Sequence, residues 1–188
     1  DFSDEVNQWQ NRMLSLKKWN ATQAWPEAST PALLATAKDW LAPNLIGVKK
    51  PEDLKKINLY QALNQYLGWE KQQLMDELAP TSLPVPSGSR IQLTYFPDGR
   101  PPVLAVRLQE VFGLAETPRI NAGKTQVLLH LLSPGFKPVQ VTTDLHSFWN
   151  STYFEVRKEL KRRYPKHDWP DDPWNALPVR GSKRRTST

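Results

Sequence analysis

The triplet Gly123-Lys124-Thr125, inside INAGKT (Ile120 to Thr125), carries the residue types that close a phosphate-binding P-loop. In G-x-x-x-x-G-K-[ST], two glycines let backbone N–H groups wrap the phosphates while the lysine neutralises their charge. Pro118 stands where the first glycine belongs, and proline offers a fixed φ and no N–H. The residues beyond, Gln126-Val-Leu-Leu-His-Leu-Leu, have the pattern of a strand, whereas a P-loop opens a helix. The expectation is a polar turn leading into a strand. Pro97-Asp98 matches the start of a metal-dependent nuclease signature, but Glu110 lacks a lysine two places on, and Asp98-Gly99 reads as a turn. His130, His146 and His167 lie far apart and there is no cysteine, so neither metal-ligand spacing nor a disulfide framework is present. The expectation is a chain with no catalytic residue, metal or cofactor of its own.

What remains is charge. The net charge is +6, with 25 Lys/Arg and 19 Asp/Glu. Ten of the cations and four of the acids lie from Arg157 onward, so the other 156 residues balance at fifteen of each sign. Such asymmetry fits an anionic partner, and equally a solubilising tail beside a solvated helix face. On a wheel of the last helix, Leu145, Trp149, Thr152, Val156 and Leu160 share an inward stripe. Arg157, Lys158, Lys161 and Arg162 fall opposite, with Phe154 among them and Arg163, Tyr164 and Lys166 just beyond. Cations hold phosphates and an aromatic ring among them can stack a base. Phe154 can also bury itself against another domain. The prolines flanking Trp169 favour its folding back onto the core.

These residues need a scaffold. The first 80 residues read as helices: Ser3 caps a segment with Val6, Trp9, Met13, Leu16 and Trp19 at helical spacing. Thr30-Pro31 starts a second, with Leu33, Leu34, Ala37, Trp40 and Leu41 on one side. A third region carries Leu59, Leu63, Tyr66 and Leu67 up to a break at Gly68. Residues 81–89 (TSLPVPSGS) read as a stiff linker. Arg90–Phe96 and Pro102–Leu108 then form one hairpin, Val127–Leu132 and Pro138–Thr142 another. Asp144 caps a long helix running to about Tyr164. The expected fold is α+β: a helical region (1–80), then an α+β domain (90–174) with a small antiparallel sheet and a long C-terminal helix. A basic, disordered tail (175–188) follows. No apolar run reaches the roughly 18 residues of a membrane span. A cytoplasmic setting is expected, and the missing initial methionine suggests a piece of a longer protein.

The run from Leu128 to Pro173, ending in YPKH-x-WP-x-D-P, resembles the C-terminal region of bacterial HrpB-type DEAH-box ATP-dependent helicases. So do VPSGSRIQLTYFPDGRPPVLAVRLQEVFGLAETPRI (Val85 to Ile120) and the helical stretch from Lys38 to Thr81. The resemblance implies an accessory module that follows two RecA-like motor domains. Those domains would hold ATP, Mg²⁺ and the helicase catalytic residues, none of which carries over to a position here. It implies partners in the upstream motor and in RNA or DNA, while the short apolar runs lead to the expectation of no membrane partner. A docking module without nucleic-acid contact is the alternative.

Overall fold

The computed structural model describes residues 2–182, and the contacts divide them into two compact units. The first comprises residues up to Pro80 together with Tyr95–Arg100; the second comprises Thr81–Thr94 and the chain from Pro101 on.

The first unit is helical. Helix α1 (Asp4–Trp19) begins as expected, with Ser3 Oγ accepting from the Val6 N–H and Asp4 and Glu5 in the first turn. Val6, Trp9, Met13 and Leu16 form its buried stripe. Short helices α2 (Thr30–Ala35), α3 (Ala37–Trp40) and α4 (Pro51–Leu54) follow, then α5 (Leu59–Leu67) and α6 (Trp69–Leu78). Leu33 and Trp40 are buried as their spacing requires, whereas Leu34 is exposed. Gly68 separates α5 from α6 at φ +82°, with open space where a Cβ would lie, so backbone conformation selects glycine there. Arg12, on the buried side of α1, donates from Nε to the Ala79 carbonyl at 2.6 Å and from Nη2 to Asp76. It thereby meets the carbonyl end of α6, where a cation is favoured. The Pro97-Asp98-Gly99 signal is an ordinary turn: the Asp98 carboxylate accepts from the Arg100 N–H at 3.2 Å. Ser15 Oγ and Trp19 Nε1 anchor this turn to α1 through the Phe96 and Gly99 carbonyls.

The second unit is a sheet with two helices. Its strands are β1 (Ser82–Pro84), β2 (Arg90–Thr94), β3 (Val103–Arg107), β4 (Arg119–Ile120), β5 (Thr125–Gln126), β6 (Leu128–Leu132) and β7 (Pro138–Thr142). The main sheet runs β1-β2-β3-β6-β7. Both expected hairpins are present and antiparallel, β2 with β3 and β6 with β7. The α+β class holds, but the sheet is mixed, because β3 and β6 join the hairpins in parallel. Residues 108–127 supply the long connection that a parallel pair needs. The stretch expected as a linker contributes β1, which adds an antiparallel edge to β2. INAGKT is the turn of the small β4–β5 hairpin, with Asn121, Ala122 and Gly123 all at positive φ. Thr125 opens a strand, so no helix begins after that turn as a P-loop requires.

Glu110 organises the start of the long connection. It is 3% exposed, and its carboxylate accepts from Ser87 Oγ at 2.9 Å, Ser89 Oγ at 2.6 Å and Arg107 Nε at 3.0 Å. Burial pushes its pKa up, but these donors outweigh that and hold it below the ordinary 4.5. A depressed carboxylate stabilises the fold above its unfolded pKa, and this contribution disappears as pH falls through the folded value. Glu110→Gln should therefore cost about 2 kcal/mol at neutral pH. It should also flatten the loss of stability on acidification, as read from urea melts across the pH range on both sides of 4.5.

Candidate nucleic-acid interface on the last helix

The helix expected from Leu145 to about Tyr164 is two helices, α7 (Leu145–Asn150) and α8 (Tyr153–Arg163). Asp144 caps α7 as expected, accepting from the Ser147 N–H at 2.9 Å. At the other end, Asn150 Nδ2 donates to the His146 carbonyl at 2.9 Å and Ser151 Oγ to the Ser147 carbonyl at 2.6 Å. Short polar side chains that bond back this way compete with the helical ladder, and the chain turns at Ser151 and Thr152.

The interruption resets the wheel. Thr152, expected inward, is exposed, and Tyr153 is fully buried instead. The Tyr153 ring stands edge-on to Phe112, Phe148 and Trp149 at centroid distances of 6.2, 6.2 and 5.3 Å. Its hydroxyl donates to the Pro170 carbonyl at 2.8 Å. Burial raises its pKa well above the ordinary tyrosine value, so it stays a neutral donor. Counting 100° per residue from Tyr153 brings Arg157, Leu160 and Tyr164 to the inner side.

This decides where each candidate residue lies. Arg157 is turned inward: Nε donates to the Trp169 carbonyl at 2.7 Å, and Nη2 reaches Asp171 at 2.7 Å. The wheel placed it with the outward cations, and the reset at Ser151 is the physical reason for the difference. Tyr164 is half-buried, its hydroxyl 3.2 Å from Ser133 Oγ and its carbonyl accepting from Trp169 Nε1 at 3.0 Å. Trp169 is folded back and buried, as its flanking prolines imply. His167 Nδ1 faces Gln109 Nε2 at 3.1 Å, and burial lowers its pKa. The YPKH-x-WP ending thus pins the chain after α8 back onto the helix. Phe154 is half-buried, 5.6 Å from the Tyr153 ring.

The outward cations are Lys158, Lys161, Arg162, Arg163 and Lys166, all exposed. Lys158 pairs with Glu155 at 2.9 Å. Among the described residues Lys161, Arg162, Arg163 and Lys166 make no ion pair, and the Arg163 guanidinium lies 5.9 Å from the Tyr164 ring centroid. Residues 175–182 of the expected tail are placed against the unit, Val179 N–H donating to the Gln109 carbonyl at 3.0 Å and Arg180 Nε to the Ser87 carbonyl at 3.1 Å. Lys183, Arg184 and Arg185 lie outside the described residues. Sequence reasoning missed Tyr153, whose only signal was the Asn-Ser-Thr run before it. No group of three or more His, Asp or Glu side chains among the described residues is arranged to hold a metal ion. No helix among them is long and apolar enough to cross a membrane.

Likeness to known proteins defines what kind of α+β module this is. Residues 40–173 match the family model described as "ATP-dependent helicase C-terminal" (HrpB_C), and the chain belongs to that family. It is 45% identical over 184 residues to the ATP-dependent RNA helicase HrpB of Escherichia coli (strain K12), covering 98% of this chain and 23% of the relative. A crystal structure of the E. coli DExH-box NTPase HrpB superposes with a TM-score of 0.90 at 45% identity, over 96% of this chain and 22% of that one. A second crystal structure, of the Escherichia coli DEAH/RHA helicase HrpB, gives 0.76 at 43% identity over 90% and 21%. The chain therefore spans about a quarter of the length of the relatives it matches.

If Arg157 fastens the returning segment, its loss should be felt as stability. Arg157→Ala should cost about 1.5–3 kcal/mol in chemical denaturation, the range for hydrogen bonds from charged groups. Asp171→Asn should cost under about 1 kcal/mol, because the Asp171 side chain is 88% exposed. Faster amide exchange confined to residues 164–171 in Arg157→Ala is the accompanying signature.

Proposed function

We propose that this chain is an accessory C-terminal module of an ATP-dependent, HrpB-like helicase, and that the outer side of α8 lends the motor a non-specific grip on nucleic acid. ATP turnover and Mg²⁺ belong, in this reading, to motor domains in the parent. The observation that carries it is the row Lys161, Arg162 and Arg163 with Lys166, exposed and without ion pairs among the described residues. On the outer side of α8 the cations Lys158, Lys161, Arg162 and Arg163 outnumber the acids Glu155 and Glu159, and such an excess raises the local concentration of a polyanion and contacts its phosphates without choosing a sequence. Lys158 contributes less, being paired with Glu155. Arg157 and Tyr164 shape the surface from within. The expected setting is the cytoplasm.

A second reading rests on a different observation. In the helical unit Ile46 is 88% exposed, Trp69 72% and Leu34 64%, large apolar side chains that a partner domain would cover. In this reading the helical unit docks on the motor, with Phe154, half-buried on α8 of the second unit, as a separate candidate contact. The two roles are compatible.

Measured with a duplex of random sequence, the 188-residue chain should bind with an affinity that falls steeply with salt. The double variant Lys161→Glu/Arg162→Glu should weaken low-salt binding at least about tenfold. It should also reduce the slope of log K against log salt by roughly 2, since each phosphate that a cation neutralises on duplex DNA accounts for about 0.9. Unchanged affinity and slope would leave docking as the function.

A further inference from the structure

A cleft of about 170 Å³ opens between α8 and the turn that joins β6 to β7. Ser133 and Tyr164, hydroxyls 3.2 Å apart, form its deeper part, Ser133 being 2% exposed. Val156 and Leu160 give it an apolar side, while Glu159, Arg163 and Lys137 bring charge. Arg163 and Lys137 are both exposed and make no ion pair among the described residues. The turn itself is unusual: Phe136 has φ +61°, and its ring lies under the Arg107 guanidinium at 5.0 Å. A Cβ on Gly135 would come within 2.9 Å of the Tyr164 hydroxyl. The turn is thus pressed close to Tyr164, which fixes one boundary of the cleft.

Size and chemistry together select an occupant. Small-molecule and cofactor sites run from about 300 Å³ upward, so this cleft is too small for a nucleoside triphosphate. It holds roughly the volume of five or six waters, each taking about 30 Å³, which suits a single ring system or phosphate. The Glu159 carboxylate repels a phosphate placed beside it but accepts from the N–H edge of a base. Ser133 Oγ is occupied by the Lys137 N–H and the Tyr164 hydroxyl, so it is the Tyr164 hydroxyl that can donate or accept toward the base edge, while Val156 packs against a ring face. Lys137 and Arg163 at the mouth then meet the phosphate that trails the base.

We propose that this cleft receives one unstacked base of a single-stranded nucleic acid, with its phosphate held between Lys137 and Arg163. The proposal rests on the phosphate-gripping role of α8 and adds a preference to it. A base inside a duplex is stacked and paired and cannot enter, so strandedness is read here even though sequence is not. Arg163 serves both surfaces, because it lies on the flank of α8 that carries Val156 and Glu159.

Fluorescence anisotropy with the 188-residue chain, using a mixed-sequence single strand and its duplex at one salt concentration, tests this. The wild type should bind the single strand more tightly. Val156→Phe, which fills the cleft without touching its charges, should weaken single-strand binding about fivefold to tenfold, in the range of one base's stacking, and leave duplex binding unchanged. Lys137→Gln, at an exposed position outside the helix, should act in the same direction and serves if Val156→Phe fails to fold. Single-strand affinity unaltered in both variants, while Lys161→Glu/Arg162→Glu still weakens binding, would overturn the base site and leave the phosphate surface standing. Equal loss on both nucleic acids in a folded Val156→Phe would also overturn it. Absence of binding to either nucleic acid by the wild type would remove both proposals together.

Discussion

Burial of Tyr153 is the constraint on which the second unit turns. Its ring completes a cluster with Phe112, Phe148 and Trp149, and its hydroxyl holds the Pro170 carbonyl. A fully buried aromatic of this size contributes on the order of several kcal/mol, more than any single surface charge on α8 can oppose. It therefore fixes the rotation of the helix, and the outward row of cations is a consequence of that rotation. Arg157 is recruited inward by the same geometry and binds the returning chain. The aromatic cluster thus divides the cations of α8 into Arg157, which binds the returning chain, and a set that faces solvent.

Much of this was legible in the chain. Ser3 and Asp144 cap the helices that follow them, because a short polar acceptor before an apolar-periodic run satisfies free N–H groups. The stripe Val6, Trp9, Met13 and Leu16 is buried, and Trp169 is folded back. The GKT triplet ends a turn and begins a strand, as Pro118 and the strand pattern after it require. The α+β class and the HrpB family were both readable, the latter from the extended likeness and the YPKH-x-WP ending.

Two features were not. The parallel β3–β6 pair is set by a contact between strands separated by residues 108–127, which turn and hairpin signals do not reveal. A signal did exist: VLAVR and LLHLL are both nearly continuous in apolar character, as central strands tend to be. The break between α7 and α8 was hidden because Asn150, Ser151 and Thr152 are tolerated in helices, and whether they bond back to the preceding turn depends on what lies beneath. Tyr153 supplies that reason, through long-range packing that helical spacing does not encode. The inner placement of Arg157 follows from it.

The parallel pairing also bears on how the chain reaches its native state. Each hairpin can close locally as soon as its two strands exist, whereas β3 must wait for β6 across the whole of residues 108–127. Contacts of that sequence separation carry a loop-closure cost before any pairing repays it, and they slow assembly. Until then β3 presents a raw edge of apolar strand, open to the wrong neighbour. The small β4–β5 hairpin and the buried Glu110 lie within the intervening segment. During synthesis on the ribosome, that stretch is the interval in which the nascent unit is most vulnerable.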